Sequence, residues 1–345
     1  MKFQLAYNME RNDSTMRTED VMRHSLEIVQ MAERGGFHIV WAAEHHGLEM
    51  NIAPNPFLTL TWWANHTNVI RLGTAVAVAA YWNPINLAGE AAFLDVISNG
   101  RLEFGLGSGA YQREFDRMHP GLKQQDAYRH MQEMLPAVRA LWEGDYEHKG
   151  EFWSFPATTS VPKPLQKPHP PVWIAARSPI TFDYAVANGC NILCWPMSRP
   201  IEEARLYKTQ LEESMAKTPG GTRPIFAMMR HAALYDTPSG RDSAVRALQR
   251  HMGLFENLFR NLDDVINGFP KRIPLEDLVE REQYDPHMLE ENLMFGSPDQ
   301  IIAKLKRMEE LGVDEFIYLS SMGLSQSEQK KSLELFCNEV IPAFR

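Results

Sequence analysis

Short apolar runs alternate with helical patterns along almost the whole chain, and this alternation most constrains the fold. Eight runs have the length and composition of buried strands: Phe3–Tyr7, Ile39–Ala43, Ile70–Ala77, Leu102–Leu106, Val172–Ala175, Ile192–Trp195, Ile225–Tyr235 and Glu315–Leu319. Because buried strands separated by helices pair in parallel, the pattern predicts a parallel sheet. Eight strand–helix units favour a single (β/α)8 TIM barrel with insertions, spanning residues 1–345. A doubly wound open sheet is the alternative.

Helical patterns lie between and after these runs. They cover Glu19–Arg34, Pro56–His66, Pro84–Ile97, Gln124–Trp142, Pro179–Asn188, Ile201–Met215, Arg241–Phe259, Pro298–Leu311 and Ser327–Val340. Two stretches show neither pattern. Residues 144–171 contain six prolines and predict a surface connection with a short hairpin at Glu147–Phe155. Residues 262–292 are rich in acidic side chains and are either a mobile lid or a solvated excursion, because loops this long in compact domains are mostly functional or disordered.

The charge balance limits the partners of the chain. It holds 35 Lys and Arg against 44 Asp and Glu, a formal net charge of −9, which argues against nucleic acid or an anionic membrane as partner. Three cysteines are too few for a disulfide framework. The N-terminal residues lack the apolar core of a secretion signal, and no run of about 18 apolar residues is present, so we expect a cytoplasmic protein.

Two adjacent histidines follow the second predicted strand. Because the carboxyl ends of barrel strands carry the active site, one of them is placed to act as a general base or to polarise an oxygen. Neighbouring residues in an extended chain point to opposite sides, and no zinc-binding spacing is present, so we expect no metal site. The alternative is that His45 and His46 are both structural.

A glycine-rich loop, Gly105–Ala110, follows the fourth predicted strand and matches the G-x-G-x-x-A form of a dinucleotide fingerprint. That fingerprint needs a helix directly after the loop, whereas Met118–Gly121 interrupts the chain before the next long helix. We therefore expect no Rossmann-type site. The loop either lets a flat ligand approach the backbone closely or is a tight turn.

A third strand end predicts an anion site. Ser178 is suited to cap the helix that follows it, and free N–H groups at a helix start attract phosphate. Arg177 adds a guanidinium and Thr181 a hydroxyl. The similar helix start at Ser297–Gln300 carries an acidic residue and a Gln that completes a capping box. The free N–H groups at that end should therefore be paired within the chain. The Ser178 end lacks both features, and it either binds phosphate or is plainly capped.

Aromatic residues also lie near the predicted strand ends. They are Trp41, Tyr81, Trp82, Tyr111 and Trp195. Most are expected to pack at the barrel mouth, and one or two are available to stack on a planar ligand or to line an apolar pocket.

Taken in order, these motifs resemble the bacterial luciferase-like flavin-dependent monooxygenase family. The matching segments are Glu44–His46, Pro54–Pro56, Ile70–Val76, Pro84–Glu90, Leu94–Tyr111, Trp173–Trp195 and Phe295–Ile317. The resemblance covers most of the chain, residues 1–260 and 292–330. Its specificity lies in the ordered set and not in any single motif.

The resemblance implies a two-component monooxygenase. Reduced FMN, supplied by a separate flavin reductase, would react with O2 to give a flavin C4a-hydroperoxide that oxygenates a small organic substrate. His45 falls on the catalytic histidine of the family. The residues implied to bind the flavin are Ala75, Val76, Gly107, Ser108, Tyr111, Arg177, Ser178 and Thr181. The first two fall on a non-prolyl cis peptide bond of the family, residues 262–292 coincide with its mobile lid, and its members are commonly dimers.

Two positions depart from the luciferase pattern. Gly107 and Ser108 stand where luciferase has a Cys-Arg pair, and Arg177 stands where luciferase has Glu. The charge balance at the phosphate is kept, but on a different residue. Two other functions fit the same motifs: F420-dependent oxidoreduction on the same barrel, and a non-catalytic flavin-binding partner subunit. The retained His45 argues against the second.

Overall fold

A closed barrel of eight parallel strands forms the centre of the protein. The structure is a computed structural model that describes residues 1–279 and 282–345. The strands are β1 (Lys2–Ala6), β2 (Ile39–Ala42), β3 (Arg71–Thr74), β4 (Ala77–Val78), β5 (Leu102–Gly107), β6 (Tyr146–Lys149), β7 (Ser154–Thr158), β8 (Val172–Ala175), β9 (Asn191–Cys194), β10 (Phe226–Leu234), β11 (Val265–Ile266), β12 (Phe269–Pro270), β13 (Met294–Gly296) and β14 (Glu315–Leu319). The barrel order is β1–β2–β3–β5–β8–β9–β10–β14, and β14 pairs with β1. The predicted barrel is confirmed and the open sheet is excluded.

Helices connect the strands and pack their apolar sides against the barrel. They are α1 (Thr18–Gly35), α2 (Pro56–Ala64), α3 (Pro84–Ile97), α4 (Gln112–Met118), α5 (Tyr128–Glu143), α6 (Pro179–Ala187), α7 (Glu203–Lys217), α8 (Pro238–Arg260), α9 (Leu275–Val279), α10 (Pro286–Asn292), α11 (Pro298–Glu310) and α12 (Gln326–Leu335). Short 3-10 turns lie at Ala79–Tyr81, Gln124–Asp126, Glu282–Tyr284 and Ile341–Phe344, and α12 continues as a π-helical turn at Phe336–Val340. None of the described helices is both long and apolar enough to cross a bilayer.

Proline and a polar cap fix where several helices begin. The side chain of Asn55 accepts from the N–H of Phe57 at 2.8 Å, and that of Asn83 accepts from Ile85 at 2.9 Å. The next residue in each case is proline, which has no N–H to satisfy and a φ already suited to the helix. Because these caps depend only on neighbouring residues, the sequence predicts the first residue of both helices correctly.

Two tryptophans fill the lower part of the barrel. Trp41 and Trp173 meet edge to face, with ring centroids 5.3 Å apart. Trp41 Nε1 donates to Gln4 Oε1 at 2.7 Å, and Trp173 Nε1 donates to Glu103 Oε2 at 2.5 Å. A Cβ on Gly73 would lie 2.1 Å from the Trp41 ring, so only glycine fits there. These two buried rings and their polar partners therefore fill part of the barrel interior.

Several local predictions needed correction. The predicted strand Ile70–Ala77 is two strands, β3 and β4. Helix α4 begins directly after the glycine-rich loop, so the argument that no helix follows this loop is wrong. The helix has seven residues with charged side chains at four of them, and it therefore lacks a long apolar period. In contrast to these corrections, the hairpin predicted in the proline-rich stretch is confirmed, with β6 and β7 as its two strands.

The 262–292 segment has secondary structure of its own. It contains the β11–β12 hairpin, α9, a 3-10 turn and α10. Gly268 in the hairpin accepts from the N–H of Glu49 at 2.8 Å, and the carbonyl of Asp263 accepts from Arg113 at 2.6 Å. These contacts hold the described part of the segment against loops at the barrel mouth.

Candidate active site

One large cavity of about 720 Å³ lies at the carboxyl ends of the barrel strands. It is lined by every residue that the sequence analysis assigned to the site: His45, Ala75, Val76, Gly107, Ser108, Tyr111, Arg177, Ser178 and Thr181. These residues come from the ends of four different barrel strands and the loops that follow them. Their convergence places them at the end of the barrel where such enzymes carry their chemistry.

His45 faces this cavity and is held by a buried carboxylate. Its Nδ1 lies 3.2 Å from Glu114 Oε2, and its ring stacks on Tyr111 with centroids 5.3 Å apart. Glu114 is 3% exposed and also accepts from the backbone N–H of His46 at 2.6 Å. With a proton on Nδ1 facing Glu114, the other ring nitrogen, Nε2, is the one available to a bound molecule.

The surroundings of His45 raise its pKa above the ordinary histidine value. Burial acts to lower the pKa, but the charge of Glu114, the hydrogen bond to it and the charge of Glu44 together outweigh burial. His45 therefore stays protonated to a higher pH than a free histidine. The interaction stabilises the fold below the ordinary histidine pKa, and this contribution is lost as the pH rises through the raised one.

His46 turns the other way and is structural. Its Nε2 lies 2.8 Å from Glu44 Oε1, and its ring meets Tyr81 edge to face. The second oxygen of Glu44 accepts from the N–H of Val78 at 2.7 Å and from Trp82 Nε1 at 2.9 Å. The histidine pair thus separates into one cavity residue and one residue that anchors the strand ends.

Replacing Glu114 with glutamine is expected to lower the pKa of His45. The substitution keeps a hydrogen-bond acceptor but removes the negative charge that favours the imidazolium. The titration of the His45 ring, followed by NMR, should therefore move to lower pH. Glu133→Gln is the matched control, since Glu133 pairs with His148 and does not line the cavity. An unchanged His45 midpoint in Glu114→Gln would contradict this assignment.

The start of α6 forms a second polar corner of the cavity. The Thr181 hydroxyl accepts from the N–H groups of Ser178 (3.2 Å) and Arg177 (3.3 Å) and donates to the Ser178 carbonyl at 2.8 Å. The expectation that this helix start lacks a capping partner is thus wrong in part, because threonine replaces glutamine in the capping box. What distinguishes this end from the Ser297 end is the absence of an acidic residue in its first turn.

Backbone surfaces form a third side. The Ala75–Val76 peptide bond is cis, as the resemblance implied. A Cβ on Gly107 would lie 2.5 Å from Val76 Cγ2, so the two segments touch only because residue 107 has no side chain. Gly109 has a φ of +83°, which also favours glycine. The arrangement leaves a narrow backbone ledge against which a flat ring can lie.

Several lining residues were missed by the sequence analysis. They are Glu44, Glu114, Gln210, His231, His251, Phe255 and Phe259. A signal existed for some of them: His231 follows Met229 at a spacing of two on β10, and His251, Phe255 and Phe259 recur every four residues on α8. Glu114 gave no signal, because its partner His45 lies 69 positions away. Among the described residues no group of His, Cys, Asp and Glu could hold a metal ion.

A (β/α)8 barrel whose mouth carries a histidine–carboxylate pair and a helix start without acidic residues has the layout of a barrel enzyme. The chain belongs to the luciferase-like monooxygenase family, whose model matches residues 1–315. The family and the monooxygenase class predicted from the sequence are therefore confirmed.

Individual relatives and structures agree with this placement. The chain is 39% identical to the oxygenase component of a flavin-dependent trigonelline monooxygenase from Acinetobacter baylyi, over 100% of this chain and 96% of the relative. The FMN complex of the oxygenating constituent of 3,6-diketocamphane monooxygenase from Pseudomonas putida superimposes with a TM-score of 0.79 at 17% identity, over 99% and 98% of the two chains. An F420-dependent secondary alcohol dehydrogenase gives 0.78 at 20% identity, over 100% and 99%. The fold alone therefore does not distinguish FMN from F420 as the cofactor.

Proposed function

We propose that this protein is the oxygenase component of a two-component monooxygenase, which takes reduced FMN from a separate flavin reductase and uses O2 to oxygenate a small organic substrate. One observation carries the proposal: a single cavity contains both the His45–Glu114 pair and the Arg177–Ser178 helix start. The relative with 39% identity, named as an oxygenase component, supports the two-component arrangement.

The lining residues fit a flavin mononucleotide. Arg177 and Ser178 offer a guanidinium and a hydroxyl group to a phosphate at a helix start without acidic residues, and the Thr181 hydroxyl, which donates to the Ser178 carbonyl, holds this corner in place. The ledge of Ala75, Val76, Gly107 and Ser108, with Tyr111 beside it, offers a flat surface to the ring system. Gln210 also lines the cavity, and its buried Oε1 has no hydrogen-bond partner among the described residues. Such an atom suits a hydroxyl donor on the ribityl chain.

When bound, reduced FMN supplies two electrons, so that one atom of O2 enters the substrate and the other leaves as water. The chain's own residues would orient the reactants and manage protons. His45 holds a proton at Nδ1 against Glu114 and presents Nε2 to the cavity, where it can give or take a proton. Tyr111, Phe255 and Phe259 exclude water from one wall.

The 262–292 segment is the proposed lid. The contacts of Gly268 with Glu49 and of Asp263 with Arg113 tie it to the loops beside His45 and the glycine-rich loop. Both are hydrogen bonds at the rim of the barrel, which can break and re-form as a substrate enters. We propose that this segment opens for substrate and closes over the loaded cavity.

Anaerobic titration with reduced FMN, followed by rapid mixing with oxygenated buffer, tests the function. We expect reduced FMN to bind, and the absorbance of oxidised flavin to return more slowly than for free reduced FMN in the same buffer. Trigonelline, a pyridinium carboxylate, is the first substrate to add. No binding, or reoxidation as fast as in free solution, would contradict the proposal. An F420 titration would then test hydride transfer without oxygen, and retention of reduced flavin without product would indicate a non-catalytic subunit.

A homodimer formed through α2 and α3 is also proposed. Leu58 on α2 is 69% exposed, and Phe93 and Val96 on α3 are 55% and 44% exposed. The two helices pack side by side, so these apolar side chains lie on neighbouring elements. Exposed large apolar side chains on neighbouring helices are typical of an interface with another protein. A cytoplasmic location, where flavin reductases can supply reduced FMN, completes the proposal.

Phe93→Asp is expected to convert the dimer to a monomer. Burying an unpaired carboxylate at the centre of an apolar interface costs several kcal/mol, enough to outweigh a typical dimer contact. Light scattering after size-exclusion chromatography measures the mass directly. Met22→Asp on α1 is the control, since Met22 is 39% exposed and lies on a helix outside the proposed interface. A wild-type protein that is already monomeric would rule out the interface.

A further inference from the structure

A row of aromatic rings leads from His45 to a second polar group in the cavity wall. Tyr111 stacks on His45 and lies 6.2 Å from Phe255, ring centroid to ring centroid. Phe255 lies 5.5 Å from Trp195, which in turn lies 5.8 Å from His231. All of these side chains line the cavity. The flavin-binding residues proposed above use only the His45 end of this row.

The far end of the row holds polar atoms without partners. His231 is 1% exposed, and its Nε2 has no hydrogen-bond partner among the described residues. The indole Nε1 of Trp195 is likewise buried and unpaired within the described chain. Because a buried polar group left unpaired destabilises the fold, such groups usually serve a bound molecule or water.

The two histidines and the carboxyl group of this cluster are uncharged at neutral pH. Burial, with smaller contributions from His251 and Arg230, places the pKa of His231 well below its ordinary value. Burial lowers the pKa of His251 to about 3, with Arg272 adding to the effect. Glu10, whose Oε1 lies 3.1 Å from His251 Nδ1, has its pKa raised by burial to about 8 and so carries a proton.

Two charged groups act on this cluster: Arg230, which is next to His231 on β10, and Arg272, which lies between β12 and α9. Arg230 donates to the carbonyls of Met197 and Pro200 at 3.1 and 3.2 Å, and Arg272 donates to the carbonyl of Asn12 at 2.8 Å. Each guanidinium group thus has backbone acceptors, while Arg230 Nε is buried with no partner among the described residues. The far end of the cavity offers neutral donors beside aromatic rings, whereas at the other end the pKa of His45 is raised.

We propose that Trp195 and His231, with Phe255 and His251 beside them, form the substrate subsite, and that it takes a planar aromatic or heteroaromatic compound carrying an acceptor oxygen. The ring lies against Phe255, and the oxygen accepts from Trp195 Nε1 and His231 Nε2. The inference deepens the proposed function and rests on it, because it assigns this wall to the substrate of the flavin enzyme. Carboxylate and amide oxygens share the required chemistry.

Three pyridines that differ in one substituent test the subsite: nicotinate, nicotinamide and 3-methylpyridine. Each is titrated calorimetrically at pH 7 into the FMN-loaded and the flavin-free protein. We expect the two oxygen-bearing compounds to bind about ten-fold more tightly than 3-methylpyridine, because only they pair the buried donors. Whether nicotinate or nicotinamide binds better distinguishes a charged from a neutral oxygen, and either result supports the subsite.

Substitutions of Trp195 and His231 test whether these two residues cause the tighter binding of the oxygen-bearing pyridines. Trp195→Phe keeps an aromatic face but removes the N–H, and is expected to weaken nicotinate or nicotinamide about five-fold while leaving 3-methylpyridine unchanged. His231→Phe serves as a second, independent variant if Trp195→Phe does not fold. Trp62→Phe is the matched control, because it removes an indole N–H from α2, outside the cavity.

The outcomes separate this inference from the proposed function. Equal affinity for the three pyridines, binding that is insensitive to both variants, or no binding to a protein that does bind FMN would overturn the subsite. Binding of the pyridines with the expected dependence on Trp195, in a protein that does not bind FMN, would support the subsite and overturn the flavin function.

Discussion

His45→Ala is expected to bind FMN as well as the wild-type protein does and to lose product formation by about 10²- to 10⁴-fold, the usual contribution of a positioned acid–base group. The ring is stacked on Tyr111 and paired with buried Glu114, so it is held in one orientation at the cavity wall. The proposed phosphate-binding corner at Ser178 follows another strand and is untouched by the substitution. Reduced flavin should still react with O2, but it should release hydrogen peroxide instead of product.

Two measurements distinguish oxygenation of the substrate from release of hydrogen peroxide: the yield of product and the yield of peroxide, each per reduced FMN consumed. His66→Ala is the control, because His66 lies at the end of α2 and does not line the cavity. His45→Gln restores a neutral hydrogen-bonding group and should remain impaired, since it cannot change protonation near neutral pH. Unchanged product yield in His45→Ala would remove this residue from the mechanism.

The barrel was readable from the sequence because its determinants are local. Each strand is a short apolar run, and several helices begin at an Asn-Pro or Ser-Pro pair whose cap and fixed φ act within a few residues. Helix α4 was not readable, because its seven residues include Arg113, Glu114, Asp116 and Arg117 and show no apolar stripe. It forms because Glu114 and Phe115 are buried against the barrel mouth, a tertiary effect.

The site was readable in part for the same reason. His45, Gly107 and Ser178 stand next to strand ends, so position along the chain locates them. Position along the chain does not locate Glu114, the partner of His45. The chain passes through two further strands of the barrel between these two residues. The opposite pKa shifts of His45 and His231 also depend on tertiary structure, because one histidine is buried beside a carboxylate and the other beside histidine and arginine.

The two ends of the cavity differ in the interactions that they offer to a bound molecule. The His45 side carries Glu44, Glu114 and a raised histidine pKa, whereas the His231 side carries neutral donors and aromatic rings. A substrate bound at the neutral end would lie along the aromatic row, with its other end directed to His45. The chain thereby offers one place for proton transfer and a separate one for substrate selection.

Arg177→Ala is expected to weaken FMN binding about ten- to one-hundred-fold and to leave riboflavin binding unchanged. The two ligands differ only in the phosphate, and a hydrogen bond to a charged group is worth about 1.5–3 kcal/mol, which corresponds to that range. The prediction depends on a departure from the luciferase pattern: the loop arginine of luciferase is replaced by Ser108, so Arg177 is the charged residue beside the Ser178 helix start.

Fluorescence titration of oxidised FMN and riboflavin measures both affinities on the same protein. Arg205→Ala on the exposed side of α7 has the same change in net charge and does not line the cavity, so it controls for long-range electrostatics. Raising the salt concentration should weaken FMN binding to the wild-type protein more than to Arg177→Ala, because the lost contact is the charged one. Equal losses for FMN and riboflavin would mean that Arg177 supports the fold of the strand end and not the phosphate, and would move the anion site to another part of the cavity, where Arg199 is the other arginine among the lining residues.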